Sequence, residues 1–162
     1  MAVVGFDFGT TNSLASVVIG NEVITFLENE QPIPSVVSFE GGRVEVGRKA
    51  HDKLTSAGLG IQGSTVRSPK TLLGREEQVI DGVRRDPVQM VEHVLDHVRR
   101  FVLQTKAGQG LKMDRVVATI PVNMEGHRRA LLRQAFRQAG MSVVQFVHEP
   151  LAALYGYLRM SE

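Results

Sequence analysis

The first 27 residues hold three strand-length apolar runs separated by turns of only a few residues. The runs are Ala2–Phe8, Leu14–Ile19 and Glu22–Leu27, and the turns are "GTTNS" and the hairpin signal Gly20-Asn21. Connections this short join antiparallel neighbours, because parallel strands need a crossover of about a dozen residues or more. A three-stranded meander is therefore expected. The first run is apolar at nearly every position, which predicts burial on both faces. Asp7 interrupts it, just before the turn. A carboxylate at the end of a buried strand is costly unless it meets a cation, a donor or ordered water. The turn after it offers backbone N–H groups and hydroxyls, which is what an anion needs. Together they point to a metal–phosphate site.

The rest of the chain changes period. Asn29 to Pro34 breaks the pattern with two prolines. Val36–Phe39 and Val44–Val46 read as a hairpin turning at Gly41-Gly42, and the Gly- and Ser-rich stretch Leu54 to Pro69 is weakly structured by propensity. Asp86-Pro87 is a helix start. Val91, Val94, Leu95, Val98, Phe101 and Val102 then form one apolar face, and Gly108 is expected to end the helix. Val116–Val122 reads as a strand closed by Pro121. A second helix follows, with Ala130, Leu131, Ala135 and Phe136 inward, stopping at Gly140. Val143–Val147 is a fifth strand, and a last apolar helix begins at Pro150. The order β-β-β, insertion, α-β-α-β-α predicts an α/β fold. The layout resembles that of a ribonuclease-H-like or actin-like lobe, with an expected five-stranded mixed sheet, helices on both faces and a small inserted subdomain. Residues 1–39 and 86–162 are assigned to the main subdomain and 40–85 to the insertion. Ligands of such sheets sit at the carboxyl ends of strands, where Asp7, Pro121 and Glu149 fall.

Composition narrows the classes. A length of 162 residues, 43% hydrophobic and 22% charged, suits one soluble globular domain with a real core. No apolar stretch approaches the ~18 residues of a membrane span, and Met1 runs into a strand without a signal-peptide layout. The absence of cysteine excludes disulfides and thiolate metal sites and fits a cytoplasmic location. A net charge of +2, with scattered Lys and Arg and no aromatic-interleaved basic patch, gives no expectation of nucleic-acid binding. His93 and His97 have metal-binding spacing, but they fall on the polar side of their helix without the glutamate of H-E-x-x-H.

Five stretches carry a resemblance. "GFDFGTTNS" resembles the first phosphate-binding motif of actin-like ATPases. "QPIPSVVSFEGGRVEVGRKA", "SPKTLLGR", "RVVATIPV" and "FVHEPLAALYGY" resemble, in order, segments of the DnaK-type heat-shock-70 chaperones. The chain is identified as a divergent member of that family. It differs at "PVNM" (Pro121 to Met124), at His148 before Glu149, and in a shortened stretch between Arg75 and Pro87.

The resemblance implies ATP or ADP with Mg²⁺ as cofactors. Asp7 and Glu149 would hold the water shell of the metal, and Gly9, Thr10, Thr11 and Asn12 would form the phosphate turn. Lys70 would stand by the γ-phosphate and help place the attacking water. Pro121 and Arg129 would relay nucleotide state. By residue type alone, Lys70 and Arg129 also read as solvated surface residues, and Thr11 and Asn12 as turn-bonding ones. The intact protein is expected to be a slow ATPase coupled to protein folding. Its partners would be unfolded polypeptide clients, a J-domain co-chaperone and a nucleotide-exchange factor. A second lobe, with its own phosphate loop and adenosine pocket, and a peptide-binding domain are expected outside this chain. Alone, the chain is expected neither to bind ATP tightly nor to turn it over. Leu151, Leu154, Tyr155 and Leu158 are expected to be exposed, or covered by a second copy. A filament-forming or cell-shape protein, and a sugar or acid kinase, share "D-x-G-T" and stay open as alternatives.

Overall fold

The computed structural model describes residues 3–160, so the expected strand start at Ala2 lies outside the described residues. β1 (Val4–Phe8), β2 (Asn12–Ile19) and β3 (Glu22–Phe26) form the antiparallel meander. β4 (Ile33–Pro34) pairs with the start of β2. β5 (Val36–Ser38) and β6 (Glu45–Val46) follow, joined round a 3₁₀ turn at Glu40–Gly42. Next come α1 (Arg48–His51), β7 (Gly60–Gln62), β8 (Thr65–Arg67) and a 3₁₀ turn at Pro69–Leu72. The hairpin of β9 (Gln78–Ile80) and β10 (Val83–Arg85) precedes α2 (Pro87–Gln104). β11 (Arg115–Ile120), α3 (Gly126–Gln138), β12 (Ser142–His148) and α4 (Glu149–Met160) complete the order.

The main sheet runs β12-β11-β1-β2-β3, with β4 as a sixth, two-residue strand beside β2. β1, β11 and β12 are parallel, whereas β1, β2 and β3 alternate. One face is the core. Val4, Phe6, Phe8, Val116, Ala118 and Ile120 are buried there together with the inner faces of α2 and α3. The Phe6 ring meets Phe136 of α3 edge-on, centroids 5.2 Å apart. Burying each such side chain contributes ~1.5–3 kcal/mol. The opposite face is different. Gly5 and Asp7 are exposed, so the expected burial of β1 on both faces does not hold. On that side Ala152 and Tyr155 of α4 border an open groove of about 470 Å³ with Gly5, Asp7, Val117 and Thr119. Helices therefore lie on both faces, but α4 shelters only part of its own. Leu151, Leu154, Tyr155 and Leu158 are all exposed.

The small sheet runs β6-β5-β8-β7. Here propensity misleads: the stretch from Leu54 to Pro69 holds two strands. β8 pairs with β5 and β7, burying Val66, and the gain comes from long-range neighbours that a local reading does not see. The Gln62 amide fastens the preceding loop, accepting from Thr55 N at 3.1 Å and donating to Gly58 O at 2.7 Å. The short stretch after Arg75 is also ordered, its hairpin turning at Asp81-Gly82 with φ of 52° and 74°. Positive φ at both central residues suits the right-handed twist of a hairpin.

Helix boundaries depend on caps. Asp86 accepts from Val88 N at 2.8 Å and starts α2 as expected. The end comes earlier than Gly108. Thr105 closes α2, its hydroxyl donating to Val102 O at 2.7 Å, while Gly108 folds back against that helix end. On α3, Leu132 is buried rather than Ala130, which is exposed, while Ala135 and Phe136 point inward as expected. β11 stops at Ile120, one residue before Pro121, and α4 begins at Glu149. A Cβ at Gly108 would lie 1.8 Å from Val102 O, so Gly108→Ala is expected to cost about 1–3 kcal/mol through forced movement of the loop. Urea unfolding would show this as a lowered midpoint at unchanged slope.

Candidate functional site

β1 ends in a turn that only glycine can start. Gly9 N donates to Asn12 O at 2.9 Å, and a Cβ at Gly9 would stand 2.5 Å from that oxygen. Three successive carbonyls of the turn are bonded to protein donors. Gly9 O accepts from Ser35 Oγ at 3.0 Å, Thr11 O from Ser35 N at 2.9 Å, and Thr10 O from Ser68 Oγ. Ser13 Oγ lies 2.9 Å from Ser35 Oγ, and Ser68 N donates to Ser35 O at 2.9 Å. Ser13, Ser35 and Ser68 are buried, whereas Thr10, Thr11 and Asn12 are exposed. The turn is thus held from behind by serines and presents its own polar side chains to solvent. Ser35 and Ser68 were not singled out in the sequence. Their only signal was a small hydroxyl beside a proline, in "PIPS" and "RSP".

Lys70 sits on the 3₁₀ turn after β8, and its side chain is almost wholly buried, 4% exposed. Its Nζ donates to Phe8 O at 2.7 Å and lies 3.5 Å from Glu149 Oε1. The solvated-surface reading of this lysine is excluded. Burial pushes its pKa below the ordinary 10.5, while the charges of Glu149 and Asp7 push it back up and Arg128 adds to the depression. Glu149 opens α4, where the helix dipole favours an acid, and is itself partly exposed. Asp7 Oδ1 accepts from Thr119 Oγ1 at 2.6 Å. Register explains that pair: Phe6 stands opposite Ala118, which sets Asp7 beside Thr119, and Thr119 stands opposite Val147. The ends of β1, β11 and β12 therefore bring Asp7, the turn, Lys70 and Glu149 to one edge.

Pro121 and Arg129 lie further out. Pro121 O accepts from Met124 N at 3.2 Å, and Arg129 is exposed on α3. It is the neighbouring Arg128 that reaches the lysine segment, donating Nη2 to Lys70 O at 3.1 Å. His93 and His97 are half-buried rather than on a solvated face. His93 packs edge-on against Phe39, 5.8 Å between centroids, and His97 lies against Gly47. No cluster of three or more metal-ligating side chains occurs among the described residues. A donor set of two carboxylates beside a lysine and a glycine turn does fit a hydrated divalent cation held with phosphate, which takes few direct protein ligands.

Residues 3–95, more than half the chain, match the family model described as Hsp70 protein. The chain belongs to the Hsp70 family. It is similar to Chaperone protein DnaK of Mycoplasmopsis agalactiae, 29% identical over 158 residues, which is 96% of this chain and 25% of that protein. It is likewise similar to Chaperone protein DnaK of Mycoplasmopsis pulmonis, 30% identical over 159 residues, with 96% and 25% covered. This Hsp70 chain spans about a quarter of the length of the curated relatives it matches. The divergent-member reading therefore holds, and the mixed sheet with helices on both faces is the actin-like lobe expected of the family.

Two outcomes follow from these contacts. Gly9→Ala is expected to spread the turn and cost about 1–3 kcal/mol of stability, visible as shifted amide resonances confined to residues 9–13 and 35. Burial holds the pKa of His93 and His97 below the ordinary 6.5, so the unfolded chain takes up protons first on acidification. Their contribution is present above about pH 6.5 and is lost as the pH falls through the lower folded values. The double variant His93→Gln/His97→Gln should lose less thermal stability between about pH 7.5 and 5 than the parent.

Proposed function

We propose that this chain is the phosphate-facing lobe of the ATPase domain of a DnaK-like chaperone. The observation that carries the reading is the buried Lys70 ammonium, held between the carbonyl that ends β1 and Glu149 and next to the glycine turn. A buried cation at the mouth of an anion-binding turn is arranged to meet phosphate. The family match removes the support that the filament and kinase alternatives drew from "D-x-G-T" alone.

In this reading Gly9, Thr10, Thr11 and Asn12 hold the β- and γ-phosphates of ATP or ADP. Asp7 and Glu149 orient the water shell of Mg²⁺. When bound, Mg²⁺ neutralises charge on the phosphate oxygens. Lys70 supplies positive charge to the γ-phosphate and places the attacking water. Burial strengthens the attraction between that charge and phosphate, because solvent screens it less. Orientation of this kind accounts for most of the catalysis in phosphoryl transfer.

In the intact protein this site would couple hydrolysis to the folding of unfolded polypeptide clients. A J-domain co-chaperone and a nucleotide-exchange factor would act on it, in the cytoplasm. Pro121 and Arg129 would relay nucleotide state. Residues 40–85 would be the small subdomain, with 1–39 and 86–162 forming the larger. No helix among the described residues is long and apolar enough to cross a membrane.

The test uses the intact protein. Lys70→Met, which keeps most of the buried volume, should lower ATP turnover roughly a hundredfold or more while circular dichroism shows an unchanged fold. Turnover at the parental rate would overturn the reading.

A further inference from the structure

Lys70 lies on one turn of 3₁₀ helix, a conformation with poor hydrogen-bond geometry that depends on outside contacts for its position. Its leading side is anchored to the phosphate turn. Ser68, at φ 61°, donates its hydroxyl to Thr10 O and its N–H to Ser35 O, and Thr71 Oγ1 donates back to Ser68 O at 2.8 Å. Its trailing side is anchored from α3. Arg128 Nη2 donates to Lys70 O at 3.1 Å, an oxygen that already accepts from Leu73 N at 3.3 Å. The arginine's aliphatic stem lies over Gly74, where an added Cβ would meet Arg128 Cγ at 3.5 Å.

The side chain gives up hydration to be there. Arg128 Nε is buried without a hydrogen-bond partner, a cost that a surface arginine avoids by turning into water. We propose that Arg128 is a positioning residue for Lys70, gripping the lysine's own carbonyl from α3 so that the ammonium stays at Phe8 O and Glu149. The inference rests on the nucleotide-site reading for its effect on turnover, but not for its effect on where the lysine sits. Arg128 touches no reacting atom and acts through the backbone of Lys70. Arg129 faces solvent one position on, so of the two arginines Arg128 is the one that hydrogen-bonds the lysine turn from α3.

The experiment compares Arg128→Ala, Arg128→Lys and Lys70→Met in the intact protein. Arg128→Ala should lower kcat for ATP hydrolysis roughly ten- to hundredfold through misplacement of the lysine. KM should change less than about twofold, because binding is not what the residue supplies. Arg128→Lys, which keeps a donor and a charge, should recover most of the lost rate. Independently of turnover, acylation of Lys70 in nucleotide-free protein, followed by mass spectrometry, should be severalfold faster in Arg128→Ala. A lowered melting temperature with parental kcat and parental labelling would mark a structural arginine and overturn the proposal. Parental turnover in Lys70→Met would instead overturn the nucleotide-site reading, with the labelling result still deciding Arg128. If Arg128→Ala does not fold, Arg128→Gln carries the same comparison.

Discussion

The rest of the structure depends on a lysine ammonium buried against a main-chain carbonyl. Taking a cation out of water costs several kcal/mol unless its hydrogen bonds are replaced. Lys70 replaces them with Phe8 O at 2.7 Å and the nearby Glu149 carboxylate. Each partner fixes something larger. Phe8 must end β1, or its carbonyl would be spent on the ladder. Glu149 must open α4, so β12 has to stop at His148. The lysine's own turn must sit over the edge of the main sheet, which docks the small sheet there.

That docking is polar where it approaches the site. Ser13, Ser35 and Ser68 are buried, and their hydroxyls and backbone groups tie the turn after β1 to the residue between β4 and β5 and the residue after β8. Buried hydroxyls are costly when unpaired and specific when paired, because only one arrangement satisfies them all. The same network turns Thr10, Thr11 and Asn12 outward. An exposed polar turn and the junction between the two sheets are thus two sides of one set of hydrogen bonds. Further from the site the junction becomes largely apolar, with Val37 and Phe39 buried and the Phe39 ring edge-on against His93 of α2.

Much of the architecture was legible because its signals are local. Gly20-Asn21 forces an antiparallel return, Asp86-Pro87 caps a helix, and the spacing from Val91 to Val102 marks its buried face. What was missed is non-local. β8 exists because β5 stands beside it, and β7 because β8 does, and no propensity within Leu54 to Pro69 reports β5 as a neighbour. At the start of α3 Leu132 is buried and Ala130 is exposed, because arginines blur the apolar stripe there, while Ala135 and Phe136 keep the expected inward face. The burial of β1 on one face only reflects where α4 lies, which its own apolar run does not encode.

By itself the sequence determined the order of the main-sheet strands β1, β2, β3, β11 and β12 and of the three longer helices, the chemistry brought to one edge, and, through five motifs in succession, the family. These follow from periodicity, turn residues and side-chain type, all of which act over a few positions. Tertiary structure alone decided how that chemistry is held. It buried Lys70, set Thr119 on Asp7, placed two serines behind the turn after β1, and chose Arg128 over Arg129 as the arm reaching the lysine. Those choices rest on contacts between residues 26 to 112 positions apart. Separations of that size are closed only when the sheet and its helices pack, and nothing in the local order of residues specifies them.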